Sequence, residues 1–169
     1  PRTGYNGVWN LILEMFEMAV LEVLPYPNPF LRRKAQSVEV FDDALKQIVS
    51  DMEETMVERD GIGLAATQVG IDLRLLILSP VAFGAQDAYE QPNVVIINPE
   101  IVWQSEDRLV GEEGCLSFPG IFIPVERPVS VRVSAQNAAG QTFEVAGDGL
   151  SARALLHEID HLNGVVMVD

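Results

Sequence analysis

The sequence predicts an α+β fold in one catalytic domain, on three observations. Helical patterns precede a run of short segments rich in β-branched residues, and a further helical pattern closes the chain. No repeat or low-complexity linker divides it. With 169 residues, 48% of them hydrophobic and 21% charged, the chain can bury a core without disulfides.

Val8, Leu11, Ile12, Met15, Phe16 and Ala19 recur at helical spacing, which predicts a helix over residues 7–18. Val20 to Leu24 reads as a short strand, ended by Pro25-Tyr26-Pro27-Asn28-Pro29, whose prolines force an extended loop. Asp42 or Asp43 can cap a second helix running to about Glu58, with Leu45, Ile48, Val49, Met52 and Met56 on its buried face. Asp60-Gly61 closes it. Strands are expected over Leu73–Leu78, Val94–Ile97, Ile101–Trp103, Val129–Val133 and Thr142–Val145, with a hairpin turn at Asn137–Gly140. The last helix is expected over roughly Gly149–Asn163, capped by Asp148 or Ser151, with Gly164 just past its end.

A net charge of −14 repels phosphate backbones and anionic lipid, so neither nucleic acid nor membrane is an expected partner. Arg32-Arg33-Lys34 is the one basic cluster and reads as a solvated turn. No run reaches the ~18 apolar residues of a membrane span. The apolar stretch from Val8 to Leu24 is broken by Asn10, Glu14, Glu17 and Glu22, without the basic start or cleavage site of a signal peptide. A single cysteine rules out an internal disulfide and fits a reducing compartment, so a cytoplasmic protein is expected.

His157-Glu158-Ile159-Asp160-His161 is an H-E-x-x-H pattern on the last helix, and it holds both histidines of the chain. Positions four apart share one helical face, so both imidazoles can reach one metal ion, with Glu158 beside it to handle a proton of water. The helix is apolar on most sides (Leu150, Ala154, Leu155, Leu156, Ile159, Leu162), so these polar groups are buried and need compensation. A catalytic zinc-like site takes three protein ligands and water. Continuing the pattern as H-x-x-G-x-x-H finds Gly164 in register but Met167 in the last place, so the third ligand must lie upstream. Cys115, in Glu112-Glu113-Gly114-Cys115-Leu116-Ser117, is the strongest candidate because a thiolate binds tightly and glycine lets backbone approach. Asp160 cannot ligate from its place and is expected to anchor the helix through Arg127 or Arg153.

Three signatures in order resemble the peptide deformylases: Gly61-Ile62-Gly63-Leu64-Ala65-Ala66-Thr67-Gln68, Glu113-Gly114-Cys115-Leu116-Ser117, and the HEIDH segment. The resemblance runs from about Met18 to Asp169. It implies short antiparallel or mixed sheets packed around a central C-terminal helix carrying HEIDH. It also implies removal of the formyl group from the N-terminal methionine of newly made proteins, with release of formate. Cys115, His157 and His161 would hold one divalent metal, natively iron(II), with zinc, nickel or cobalt able to substitute. Glu158 would move the proton, while Gln68 and the backbone N–H of Leu116 would stabilise the oxyanion. Gly61, Ile62 and Gly63 would pair with the substrate peptide as an added strand, placing Gly63 at the reacting group. Glu113 and Gly114 would also contact substrate, and Ile62, Leu150 and Ala154 would line the methionine pocket.

Residues 1–17 precede Met18 and read as an N-terminal extension, native or not, to a catalytic domain over residues 18–169. The chain ends after Val165-Val166-Met167-Val168-Asp169, without the C-terminal helix that docks some family members on the ribosome, so ribosome docking is not expected. The expected partners are formyl-methionyl nascent peptides, in the cytoplasm of a bacterium, phage-infected or not, or in an organelle.

Overall fold

The computed structural model describes residues 19–86 and 91–169, so the helix expected over residues 7–18 lies outside the described residues. Helix α1 (Asp43–Glu58) is capped by Asp42, whose side chain accepts a hydrogen bond from the Leu45 N–H at 3.0 Å. The chain then passes through β1 (Gly63–Ala65), β2 (Leu75–Leu78), β3 (Val94–Gln104), β4 (Arg108–Cys115), β5 (Phe118–Pro128), β6 (Ser130–Gln136) and β7 (Thr142–Asp148). Helix α2 (Leu150–Leu162) follows. One antiparallel sheet has the order β1-β2-β3-β6-β7, and β4 and β5 form a separate antiparallel pair.

Residues of a strand alternate between faces, and β2 divides its side chains accordingly. Leu76 and Leu78 pack with Leu155, Ile159 and Leu162 of α2, while Leu75 and Ile77 pack with Val49, Met52 and Met56 of α1. The large sheet is thus clamped between the helices. Each fully buried Leu or Ile contributes about 1.5–3 kcal/mol relative to exposure. Its other side turned to β4 and β5, α2 is buried almost all round, as the resemblance implies.

Several expectations change. Val20–Leu24 is not a strand: its neighbours are a helix and a turn, which offer single bonds (Leu21 N–H to Thr55 Oγ1, Leu24 N–H to the Gln68 carbonyl) rather than a strand edge. The strand expected from Leu73 begins at Leu75, and Leu73 makes only an isolated bridge to Gln36. The two strands expected around Asn98-Pro99 are one strand, β3, irregular in register there. Asn98 adopts φ 51 and its side chain bonds both Val38 backbone groups, so the bend costs the ladder little. Neither Asp148 nor Ser151 caps α2; the cap position is Gly149 at φ 56, and Ser151 Oγ bonds the Asp148 backbone instead. Gly164 does lie just past the end, at φ 75. The hairpin turn is as expected, with Asn137 Oδ1 accepting from the Ala139 and Gln141 N–H groups.

Strands β4 and β5 were not foreseen, nor was β1. Gly111, Gly114, Pro119, Pro124 and Pro128 mask a strand pattern, yet a two-stranded pair is all edge, where missing donors cost nothing. Met167, at the position a third histidine would take, sits in an apolar cluster with Leu31, Phe118 and Val166. None of the described helices is long and apolar enough to cross a membrane.

Candidate active site

Helix α2 carries His157, Glu158 and His161, and β4 delivers Cys115 to the same place. The imidazole rings lie 4.9 Å apart between centroids, nearly perpendicular at 78°. The ligand atoms of Cys115, His157 and His161 all fall within 4.8 Å of one another, with Sγ 3.2 Å from His161 Nε2. A thiolate and two imidazoles on such a triangle fit one transition-metal dication. The buried side-chain polar atoms without a partner, among the described residues, are Glu158 Oε2 and His161 Nδ1, both at this centre.

The ladder shifts register between Gly114 and Cys115, so Cys115 pairs with Phe118 across a tight turn. That irregularity re-aims the thiol toward α2. Gln68 reaches in from the short turn after β1. Its Oε1 accepts the Ala65 N–H at 2.9 Å, which fixes the amide orientation and leaves Nε2 facing Cys115 Sγ (3.4 Å) and Ser117 Oγ (3.3 Å). Gly63 must be glycine: a Cβ there would fall 2.5 Å from Glu158 Oε1 and 2.9 Å from Leu78 Cδ2. The backbone of β1 therefore lies directly against the Glu158 carboxyl, on a strand that ends the sheet and offers a free edge.

Glu113, expected to touch substrate, lines the small cavity beside His157 and aims its carboxylate at buried cations. Its Oε2 accepts from His157 Nδ1 at 2.8 Å and Arg127 Nη2 at 3.0 Å, and its Oε1 from Arg127 Nε at 2.8 Å and Arg153 Nη1 at 2.9 Å. A carboxylate so placed fixes the Nδ1–H tautomer of His157 and turns Nε2 to the metal position. Arg127 also donates to Asp160 at 2.5 Å, so Arg127 is the helix anchor and Arg153 is not. Arg153 instead spreads over the carbonyls of Leu109, Gly111 and Val125, lying flat where a Cβ on Gly111 would meet Nη2 at 2.9 Å.

The charges follow from these contacts. Burial raises the Glu113 carboxyl, but hydrogen bonds from His157 and Arg127 outweigh it and hold the group down at about 2. Burial pushes Glu158 up to about 7, near neutrality, which suits a group that accepts and returns a proton. His161 is pushed down to about 3, chiefly by burial. Burial also opposes charge on His157, yet the adjacent Cys115 and Glu113 raise it to about 10.

A cleft of about 460 Å3 opens over Cys115, Glu158 and Gln68, and its lining includes Gly61, Ile62, Gly63, Leu116, Ile121 and Phe122. A smaller cavity of about 100 Å3 beside His157 is lined by Ile62, Glu113, Gly114, Leu150, Arg153 and Ala154. The structure so brings together every site residue expected from sequence. Arg127 and Arg153, expected only as candidate partners of Asp160, join them through Glu113.

The polypeptide deformylase family model matches residues 20–169. The peptide deformylase of Bartonella tribocorum is 47% identical over 152 residues, covering 90% of this chain and 84% of that protein. That of Pseudomonas aeruginosa is 45% identical, with 90% and 87% covered. The crystal structure of a peptide deformylase from Legionella pneumophila superposes with a TM-score of 0.82 at 42% identity, covering 89% of this chain and 85% of that one. The free-edged strand, the Cys-His-His triangle and the buried glutamate thus sit in a shared sequence and fold, and the chain belongs to the polypeptide deformylase family, hydrolases that remove N-formyl groups from nascent peptides.

Proposed function

We propose that the chain hydrolyses the formyl group from the N-terminal methionine of nascent peptides, releasing formate, with Cys115, His157 and His161 holding one divalent metal. The observation that carries this is the meeting of the three ligands with Glu158 and Gln68 at the free edge of β1. The thiolate and two imidazoles accept several divalent ions, zinc, nickel, cobalt and iron(II) among them, and the family resemblance makes iron(II) the expected native ion. When bound, the ion supplies Lewis acidity to the formyl oxygen and to water.

The rest is done by side chains and backbone of this chain. Gly61–Gly63 pair with the peptide as an added strand, and the cavity of Ile62, Leu150 and Ala154 takes the methionine side chain. Glu158 takes a proton from the attacking water and returns it to the departing amine. Gln68 Nε2, which cannot flip because Oε1 is tied to the Ala65 N–H, donates to the formyl oxygen as charge develops, together with the Leu116 N–H. Residues 18–169 form the catalytic unit, working where synthesis begins with formyl-methionine: bacterial cytoplasm or an organelle.

Metal analysis of anaerobically purified protein, paired with formate release from formyl-Met-Ala and acetyl-Met-Ala, tests this. About one equivalent of metal and turnover of the formyl peptide alone are expected. Equal cleavage of both peptides, or full turnover after chelation, would overturn it.

A further inference from the structure

The two histidines of the candidate centre are secured in different ways. Glu113 holds the His157 ring at Nδ1, whereas His161 Nδ1 has no partner among the described residues. His161 also lies in the last turn of α2, where the backbone carbonyls have no donor within the helix. Its hold comes through that backbone. The His161 carbonyl accepts the Gly164 N–H at 3.1 Å and, from a distant part of the chain, the Thr67 hydroxyl at 3.2 Å. Thr67 is fully buried and stands one residue before Gln68 on the short turn Ala66–Val69. That turn is itself tied down: Gln68 Oε1 accepts the Ala65 N–H, and the Gln68 carbonyl accepts the Leu24 N–H at 2.8 Å. One turn thus carries both the amide that faces Cys115 Sγ and the hydroxyl that holds the backbone of His161.

We propose that Thr67 is a positioning residue: its hydroxyl locks the last turn of α2 to the Gln68 turn, and so fixes the His161 imidazole relative to Cys115, His157 and the Gln68 amide. This rests on the deformylase reading above. Valine at position 67 would keep the bulk and remove the donor, while the His161 carbonyl keeps its bond from Gly164. The helix end then stays paired but loses its tie to the turn. A ligand free to shift lowers metal affinity. An amide displaced from the developing oxyanion lowers kcat, because that bond strengthens in the transition state. Pairing of the peptide along Gly61–Gly63 is untouched, which leaves KM in place.

The test measures zinc affinity, by chelator competition, and formate release from formyl-Met-Ala by the zinc-loaded enzyme, in wild type, Thr67→Val and Thr67→Ser. Thr67→Val should bind zinc about tenfold more weakly and lose about tenfold in kcat, with KM within about twofold of wild type. Thr67→Ser keeps the donor and should stay within about twofold of wild type in both zinc affinity and kcat. Thr67→Ala, which removes the donor without putting a methyl group in its place, decides the point if the valine variant does not fold. Wild-type zinc affinity or wild-type kcat in Thr67→Val overturns the proposal, even where its melting temperature falls. A serine variant impaired as much as the valine one also overturns it, because the effect then belongs to the lost methyl group. A wild type that binds zinc and turns over no formyl peptide overturns the deformylase reading itself, and the inference with it.

Discussion

Where α2 meets the five-stranded sheet, Leu155, Ile159 and Leu162 pack on Leu76, Leu78 and Ile96. Where the same helix meets β4 and β5, Arg153, His157 and Asp160 face Glu113 and Arg127. The first contact is apolar and tolerant of small displacements; the second is directional, each group held by angle as well as distance. Three of the candidate site residues, His157, Glu158 and His161, ride on α2, and Cys115 comes from β4. The apolar side places α2, and the polar side aims His157 and brings Cys115 to it.

The largest break in this comparison should come from Glu158→Ala. Turnover of formyl peptide is expected to fall by about 10³–10⁴-fold while metal content stays at the wild-type level. An active mutant in a formate-release assay would remove Glu158 from its role.

Next come paired disruptions of the two contacts. Arg127→Ala leaves Glu113 and Asp160 without their shared cation and should cost about 3–5 kcal/mol. Leu76→Ala should cost a similar ~2–5 kcal/mol by cavity formation. Denaturant melts with and without zinc separate them: the Arg127 loss should shrink when metal clamps β4 to α2, and the Leu76 loss should not. Identical metal dependence of the two would erase the distinction drawn above.

Glu158 also carries a stability cost that can be measured. Its folded pKa of about 7 lies above the ordinary carboxylate value of 4.5, so its contribution is fully present below about pH 4.5 and lost as pH rises through about 7. In metal-free protein, Glu158→Gln should therefore raise stability at pH 8 relative to pH 5, by about 3 kcal/mol at most. Thermal melts at the two pH values check the sign, and a mutant destabilised more at pH 8 contradicts it.

The smallest effect sharpens the role of Glu113. Glu113→Gln keeps an acceptor for His157 but loses the charge that faces Arg127 and Arg153, so zinc affinity should drop about 10–100-fold. Competition with a coloured chelator reads this directly, and unchanged affinity would reduce Glu113 to a fold-holding residue.

Much of this centre was legible along the chain because its chemistry is local. His157, Glu158 and His161 share a helical face by spacing alone, and the misplaced Met167 directs attention to Cys115. Asp42, Asn137 and Gly164 announce a cap, a turn and a helix end through the bonds their own neighbours need. Val20–Leu24 misled because strand composition says nothing about whether an edge is nearby to pair with. β4 and β5 were hidden by their glycines and prolines, and two of the glycines answer to side chains outside their own segment: Gly111 to Arg153 on α2, and Gly114 to Phe122 across the pair.

By itself, then, the sequence determined the kind of chemistry: a soft ligand, two imidazoles, a buried proton carrier and a glycine-bracketed segment for backbone pairing. Packing in three dimensions sets Glu113 against His157 and pairs Asp160 with Arg127 rather than Arg153. It also decided that β1 ends its sheet and so leaves an edge open beside Glu158. Spacing along a helix or strand is set by backbone geometry and can be read from the chain. Which cation meets which buried carboxylate depends on how separate elements pack, because a buried charge takes the partner that the fold brings within reach.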